Sequence, residues 1–165
     1  LKNNMVFKKL KRLALVSGSV LLLDLITKAL VLAMLPLGKS VPVIPGFFDI
    51  THVHNPGGAF GFLAGLSVEF RAVLFIAVSL LAAMLIVYFY WQTPPDQRLL
   101  AFGLALVFGG AVGNLVDRIR FGIVVDFLDV YVGDLHWPAF NVADSAITIG
   151  VFIFAFHLIF PKNPA

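Results

Sequence analysis

Asp126 and Asp144 are the residues of this sequence best suited to chemistry, because each carboxylate lies beside a membrane-length apolar run in the company of other polar groups. Gly109-Gly110-Ala111-Val112-Gly113-Asn114-Leu115-Val116-Asp117-Arg118 closes one such run, Val124-Val125-Asp126-Phe127 follows, and Phe140-Asn141-Val142-Ala143-Asp144 opens the next. Two carboxylates that share a site do not ionise together readily, so one keeps a proton near neutrality while the other stays charged. The charged one can take a proton from water, and the neutral one can donate to a peptide carbonyl or a leaving amine. Peptide hydrolysis without a metal or a covalent nucleophile is the chemistry such a pair supports. Asn114 and Asn141 each donate and accept hydrogen bonds, which suits them to orient carboxylates or hold a peptide extended, and the forked donors of Arg118 suit a carboxylate or carbonyl.

Membrane helices must position these groups. Of the 165 residues, 60% are hydrophobic and 13% charged, against about 25% charged in soluble domains. At roughly 20 apolar residues per span, a single integral-membrane domain over residues 1–165 is expected, with spans at about 13–35, 68–91, 99–116 and 141–160 and extracytoplasmic loops at about 36–67 and 117–140. Lys2, Lys8, Lys9, Lys11 and Arg12 crowd the N-terminus and keep it cytoplasmic by the positive-inside rule. Arg98 and Lys162 agree, which puts both termini in the cytoplasm and both aspartates near the outer face. A nucleic-acid role for the basic cluster is not expected, because the apolar run begins at once. The absence of cysteine removes disulfides, thiolate metal sites and a cysteine nucleophile together. The basic lead and apolar core resemble a signal peptide, but the stretch is long and holds Asp24 and Lys28, so it reads as a retained first span, with Met5 as the native start.

Asp24 and Lys28 are four residues apart on one helical face, and ionisable groups at that depth are costly unless paired. A structural ion pair and a support beneath the active site are both open readings. Beyond Pro36, the segment from Phe47 to His54 reads as a strand closed by the turn Asn55-Pro56-Gly57-Gly58. His52 and His54 share a strand face, but a third ligand is not evident, so they read as interfacial surface residues and no metal or other cofactor is expected. Ala59 to Leu66 reads as an amphipathic connection on the membrane surface. Tyr88, Tyr90 and Trp91 suit the headgroup level. Gly109 and Gly113 have the small-xxx-small spacing of closely packed membrane helices, and Asn114, Asp117 and Arg118 share one helical face. Ile123 to Val132 reads as a second strand on which Asp126 is the odd member of an apolar face. Asn141 suits a helix N-cap, with Asp144 at the position of a capping carboxylate.

Three other classes fit parts of this pattern. An ion-coupled transporter would also bury Asp24, Lys28, Asp126 and Asp144, but the internal repeat common in that class is not evident. A serine–lysine hydrolase would have to use Ser40 beside Lys39, or Ser145, and neither has a partner at a telling spacing. In a structural subunit the same polar groups would act as interhelical fasteners.

The motifs together resemble the bacterial lipoprotein signal peptidases, or signal peptidase II, aspartyl proteases of family A8. The residues that carry the resemblance are Asp24 and Lys28, then Asn55 with Gly57, Ala59 and Phe60, then Gly110 with Gly113-Asn114 and Asp117-Arg118, then Val125-Asp126-Phe127, and finally Phe140-Asn141 with Ala143-Asp144. The resemblance implies an all-α membrane protein, a four-transmembrane-helix bundle with a small extracytoplasmic β-sheet cradle, in the bacterial cytoplasmic (inner) membrane. It implies Asp126 and Asp144 as the catalytic pair, Asn55, Asn114, Arg118 and Asn141 as lining the substrate and inhibitor site, and Asp24, Lys28 and Asp117 in support. Gly57 and Gly110 are carried into the site with them. The implied substrates are prolipoproteins, cleaved before a diacylglyceryl-modified cysteine whose acyl chains stay among the membrane lipids. The implied inhibitors are cyclic peptides of the globomycin type, and a monomer without nucleic-acid partners is expected.

Overall fold

Helix caps and turn glycines divide the apolar runs where the chain must change direction, and among the described residues four helices long and apolar enough to cross a membrane result. The computed structural model of the protein describes residues 2–57 and 67–160. The turn residue Gly58, the surface connection expected from Ala59 to Leu66 and the basic Lys162 lie outside them.

Helix α1 is Lys2–Met34, α2 Val68–Gln92, α3 Arg98–Phe121 and α4 Val142–Ile159. At about 1.5 Å per residue α1 is about 50 Å long, more than the roughly 30 Å hydrocarbon layer. Its first, basic turns therefore extend the span rather than precede it. Ser67 caps α2 by accepting from the Phe70 N–H, and Thr93 ends it ahead of Pro94 and Pro95. Helix α3 reaches Phe121, not residue 116, and stops at Gly122, whose φ of 71° places it in the left-handed region. Asp117, Arg118 and Arg120 accordingly belong to the helix and not to the loop.

Helix α3 is the most buried of the four and α2 the least. One core cluster joins Tyr90 to Leu100, Ala101, Leu104 and Ala105, with Leu13, Val16, Ile86 and Phe154 around it. Tyr90, expected at the headgroup level, is 1% exposed, and its hydroxyl donates to the Lys9 carbonyl at 2.7 Å. The Lys9 ammonium in turn donates to the carbonyls of Trp91 and Thr93 at 2.9 and 2.7 Å, which satisfies free carbonyls at the end of α2. The outer surface of the bundle is apolar, with Leu22, Val73 and Phe152 all exposed.

The opposite end of the bundle carries a four-stranded antiparallel sheet in the order β1-β2-β3-β4, formed by Ser40–Ile44, Phe48–Asn55, Val124–Val132 and Leu135–His136. Strands β2 and β3 are the two expected from composition. Strand β1 was not among the expected strands, and its Pro42 fits an edge strand, where no ladder partner needs its missing N–H. A register shift between Ile50 and Val53 interrupts the β2–β3 pairing, as a bulge does when it re-aims side chains. A second core cluster, Val31, Val125 and Phe127 with Leu35, Ile50 and Val142 against it, ties the sheet to the helices.

Candidate active site

Asp126 lies on β3 opposite Val53 of β2, and Asp144 lies in the first turn of α4. Backbone pairing brings the two segments together. The chain returning from β4 bonds antiparallel to β3, with the N–H groups of Phe127 and Leu128 donating to the Phe140 carbonyl at 2.9 and 2.8 Å. Asn141 is thereby delivered beside Val125 and Asp126, one residue before α4 starts.

Three asparagines then aim amide N–H groups at the two carboxylates, and in each case an obligate donor fixes which end of the amide faces them. The Lys28 ammonium cannot accept, so at 3.1 Å it claims Asn114 Oδ1, and Asn114 Nδ2 donates to Asp144 Oδ1 at 2.7 Å. The Asp144 backbone N–H claims Asn141 Oδ1 at 2.9 Å, and Asn141 Nδ2 donates to Asp126 Oδ1 at 2.7 Å. The Gly57 N–H claims Asn55 Oδ1 at 2.9 Å, and Asn55 Nδ2 donates to Asp126 Oδ2 at 2.9 Å. Asn141 Nδ2 also reaches Asn114 Oδ1 at 3.2 Å, which joins the two halves. The capping expected of Asp144 is made by its backbone, while its carboxylate turns to Asn114.

Beneath this layer, Lys28 is 2% exposed and lies 2.7 Å from Asp24 and 3.0 Å from Asp117. Each of those carboxylates also holds a backbone amide next to a dyad residue. Asp24 Oδ1 accepts from the Ala143 N–H at 2.9 Å, beside Asp144, and Asp117 Oδ2 accepts from the Val125 N–H at 3.1 Å, beside Asp126. The ion pair read from the sequence is thus a triad, tied through the Ala143 and Val125 amides to the segments that carry Asp144 and Asp126.

Glycines bring the helices close enough for these contacts. A Cβ on Gly113 would stand 2.6 Å from Asp24 Oδ2, and one on Gly110 would collide with the Ala143 carbonyl oxygen. Gly109 packs on Ser17 of α1, so consecutive glycines of α3 serve different neighbours. Burial pushes the Asp126 carboxyl up to about 6, with the nearby Asp144 charge adding to the effect and the Asn55 and Asn141 donors opposing it.

One expectation is narrowed and one is corrected. Arg118 does not hydrogen-bond either dyad carboxylate. Its Nη1 donates to Ser79 on α2 at 3.3 Å and its guanidinium lies over the Phe75 ring, 5.5 Å from the centroid, with the Asp144 and Asp126 charges acting on it. Phe75 and Ser79, four residues apart on α2, are the partners that sequence reasoning missed, since nothing in an apolar helix marks one serine. His52 is not a surface residue but 5% exposed, with Nδ1 2.7 Å from the Leu35 carbonyl at the end of α1. The rival serines are engaged locally, Ser40 with Thr51 and Ser145 with the Asn141 carbonyl. The cavity of about 340 Å³ bounded by Asp96, Arg98, His157 and Phe160 lies around the turn between α2 and α3 and the end of α4, and includes neither dyad residue.

Comparison with known proteins gives a consistent result. The family model described as signal peptidase (SPase) II matches residues 16–160. The lipoprotein signal peptidase of Desulforapulum autotrophicum is 58% identical over 157 residues, covering 95% of this chain and 97% of that protein. The protein of the same description from Syntrophus aciditrophicus is 53% identical, covering 87% and 89% respectively. A bacterial membrane enzyme solved by the in meso method at 2.3 Å resolution superposes with a TM-score of 0.80 at 31% identity, covering 93% of each chain.

Proposed function

The chain belongs to the signal peptidase II family, and from that premise we propose that it removes the signal peptide from prolipoproteins by cleaving before a diacylglyceryl-modified cysteine, with Asp126 and Asp144 activating water. As a lipoprotein signal peptidase it is an aspartic endopeptidase, and its four apolar helices suit a multi-pass protein of the bacterial inner membrane.

The observation that carries the dyad reading is the set of fixed amides: Asn55, Asn114 and Asn141 direct donors onto Asp126 and Asp144 and onto no other carboxylate. A pair prepared in this way shares one proton between two acids. In the reaction one carboxylate removes a proton from the attacking water while the other protonates the scissile carbonyl oxygen. The resulting tetrahedral carbon then expels the amine as a proton returns to nitrogen. Arg118, anchored on Phe75 and Ser79, keeps a positive charge beside the site without neutralising either acid directly, and suits a peptide carbonyl of the substrate.

Location supports the substrate class. The sheet end of the bundle carries both acids, and the basic cluster of α1 supports a cytoplasmic placement of the other end. A substrate whose acyl chains stay in the outer leaflet would present its scissile bond at the sheet end. A cyclic peptide of the globomycin type would compete there. The test is cleavage of a purified prolipoprotein, with and without diacylglyceryl on its cysteine, by wild type, Asp126→Asn and Asp144→Asn. Cleavage only of lipidated substrate and only by wild type is expected. Turnover by either variant would sink the dyad, and cleavage of the unlipidated form would sink the lipid requirement.

A further inference from the structure

His52 and His54 take no part in the chemistry above, yet their geometry is specific. His52 Nε2 lies 3.1 Å from His54 Nε2, and the two rings meet edge to face with centroids 4.9 Å apart. His52 is buried while His54 is exposed, so one ring is held by the fold and the other opens to solvent. His52 Nδ1 points at the Leu35 carbonyl, which can only accept, so this nitrogen carries the ring hydrogen and the Nε2 lone pair faces His54. The two Nε2 atoms then share a single N–H···N hydrogen bond, donated by His54.

We propose that His52 and His54 form a two-imidazole site for a borderline divalent cation, Zn²⁺ or Cu²⁺, completed by water. The distance fits. Two metal–nitrogen bonds of about 2.05 Å span about 2.9 Å at a right angle and about 3.3 Å at the tetrahedral angle, and the observed 3.1 Å falls between them. Imidazole nitrogen is a ligand that such ions favour. The Leu35 carbonyl supplies the outer hydrogen bond that commonly fixes the tautomer and orientation of a ligating histidine. Binding requires that the His54 hydrogen pass from Nε2 to Nδ1 through solvent and that the exposed His54 ring turn until the two Nε2 lone pairs converge on the ion; both rings stay neutral and no proton is released. The sequence pattern had been set aside for want of a third ligand. Zinc sites, closed or open, usually have three or four protein ligands, so the proposed site is a weaker one, a pair of imidazoles with water in every remaining position.

The site is attached to the active centre by the chain itself, since Asn55 follows His54 and donates to Asp126. The binding measurement, however, does not depend on the peptidase reading. Full-length protein in detergent, stripped with a chelator, would be titrated with Zn²⁺ by calorimetry and with Cu²⁺ under electron paramagnetic resonance. The expected result is one Zn²⁺ per chain and a Cu²⁺ spectrum with two nitrogen ligands, both lost in His54→Gln and retained in His136→Gln. His54 is exposed, so that variant tests the ligand without removing a buried ring. Undiminished binding in His54→Gln, loss in His136→Gln, or no saturable binding by wild type would overturn the proposal.

Discussion

An asparagine amide has one accepting end and one donating end, and fixing the first determines what the second offers. At this site Lys28, the Asp144 N–H and the Gly57 N–H do the fixing, and the two aspartates receive unequal shares. Both oxygens of Asp126 accept an amide hydrogen, from Asn141 and Asn55, whereas Asp144 accepts from Asn114 through Oδ1 alone. Asp144→Asn can keep its bond by presenting a carbonyl to Asn114, but Asp126→Asn must set one NH₂ against another. In thermal unfolding in detergent near pH 4, Asp144→Asn should stay within about 0.5 kcal/mol of wild type and Asp126→Asn should lose about 1 to 3 kcal/mol. Equal losses would remove the orientation argument. A pH dependence follows from the raised Asp126 carboxyl, about 6 in the folded protein against an ordinary 3.8. A carboxyl raised by folding contributes stability in full below its unfolded value and loses it as pH rises through the folded one. The contribution is thus present near pH 4 and gone by pH 7, a change of about 3 kcal/mol at most for two pKa units. The stability gap between wild type and Asp126→Asn should therefore narrow over that interval, and a constant gap would show that Asp126 does not titrate there.

Elements bring these residues together through close backbone approach, and α3 does most of it. Gly110 faces the Ala143 carbonyl where α4 begins, whereas Gly18 of α1 has open space around the position of a Cβ. Gly110→Ala should push away the helix start that carries Asp144, costing about 1 to 3 kcal/mol by overpacking and most of the cleavage activity. Gly18→Ala should be neutral or slightly stabilising, because alanine favours the helix. Comparable activity in the two variants would mean that α4 is positioned by something else. The sequence made the helices legible through their apolar runs, and it also made β2, β3 and the polar residues of the site legible. Less visible was whatever depends on partners distant in the chain. Strand β4 is two residues long and β1 contains Pro42, so neither carries the alternation that marks a strand. His52 is buried against the Leu35 carbonyl just past α1, a partner 17 residues away that its shared strand face with His54 did not reveal. The burial of Tyr90 at the end of α2 was not legible because its partner, the Lys9 carbonyl, lies 81 residues away. Arg118 suited a carboxylate or a carbonyl, and its anchor Ser79 was not legible because nothing marks a single serine in an apolar helix.

At the scale of the whole molecule, charge and shape divide the protein into two unlike ends. Lys8, Lys9, Lys11, Arg12 and Arg98 gather at one, against Asp96, while the sheet occupies the other, with Asp49, Asp129 and Asp134 beside Lys39 and Arg120. Between them the lateral surface is apolar, as a hydrocarbon layer requires. The asymmetry predicts one orientation, with the sheet outside, and the proposed reaction requires it, because an acylated substrate in the outer leaflet would have to meet the acids there. The natural absence of cysteine makes the orientation directly measurable. Asp134→Cys places a thiol in the exposed turn between β3 and β4, and Asp96→Cys places one in the exposed turn between α2 and α3. A membrane-impermeant maleimide added to intact cells whose outer membrane has been opened should label position 134 and spare 96. Position 96 should react only after the inner membrane is permeabilised. Labelling of 96 in intact cells with protection of 134 would invert the molecule, put both aspartates on the cytoplasmic side, and leave the proposed substrate on the wrong face of the membrane.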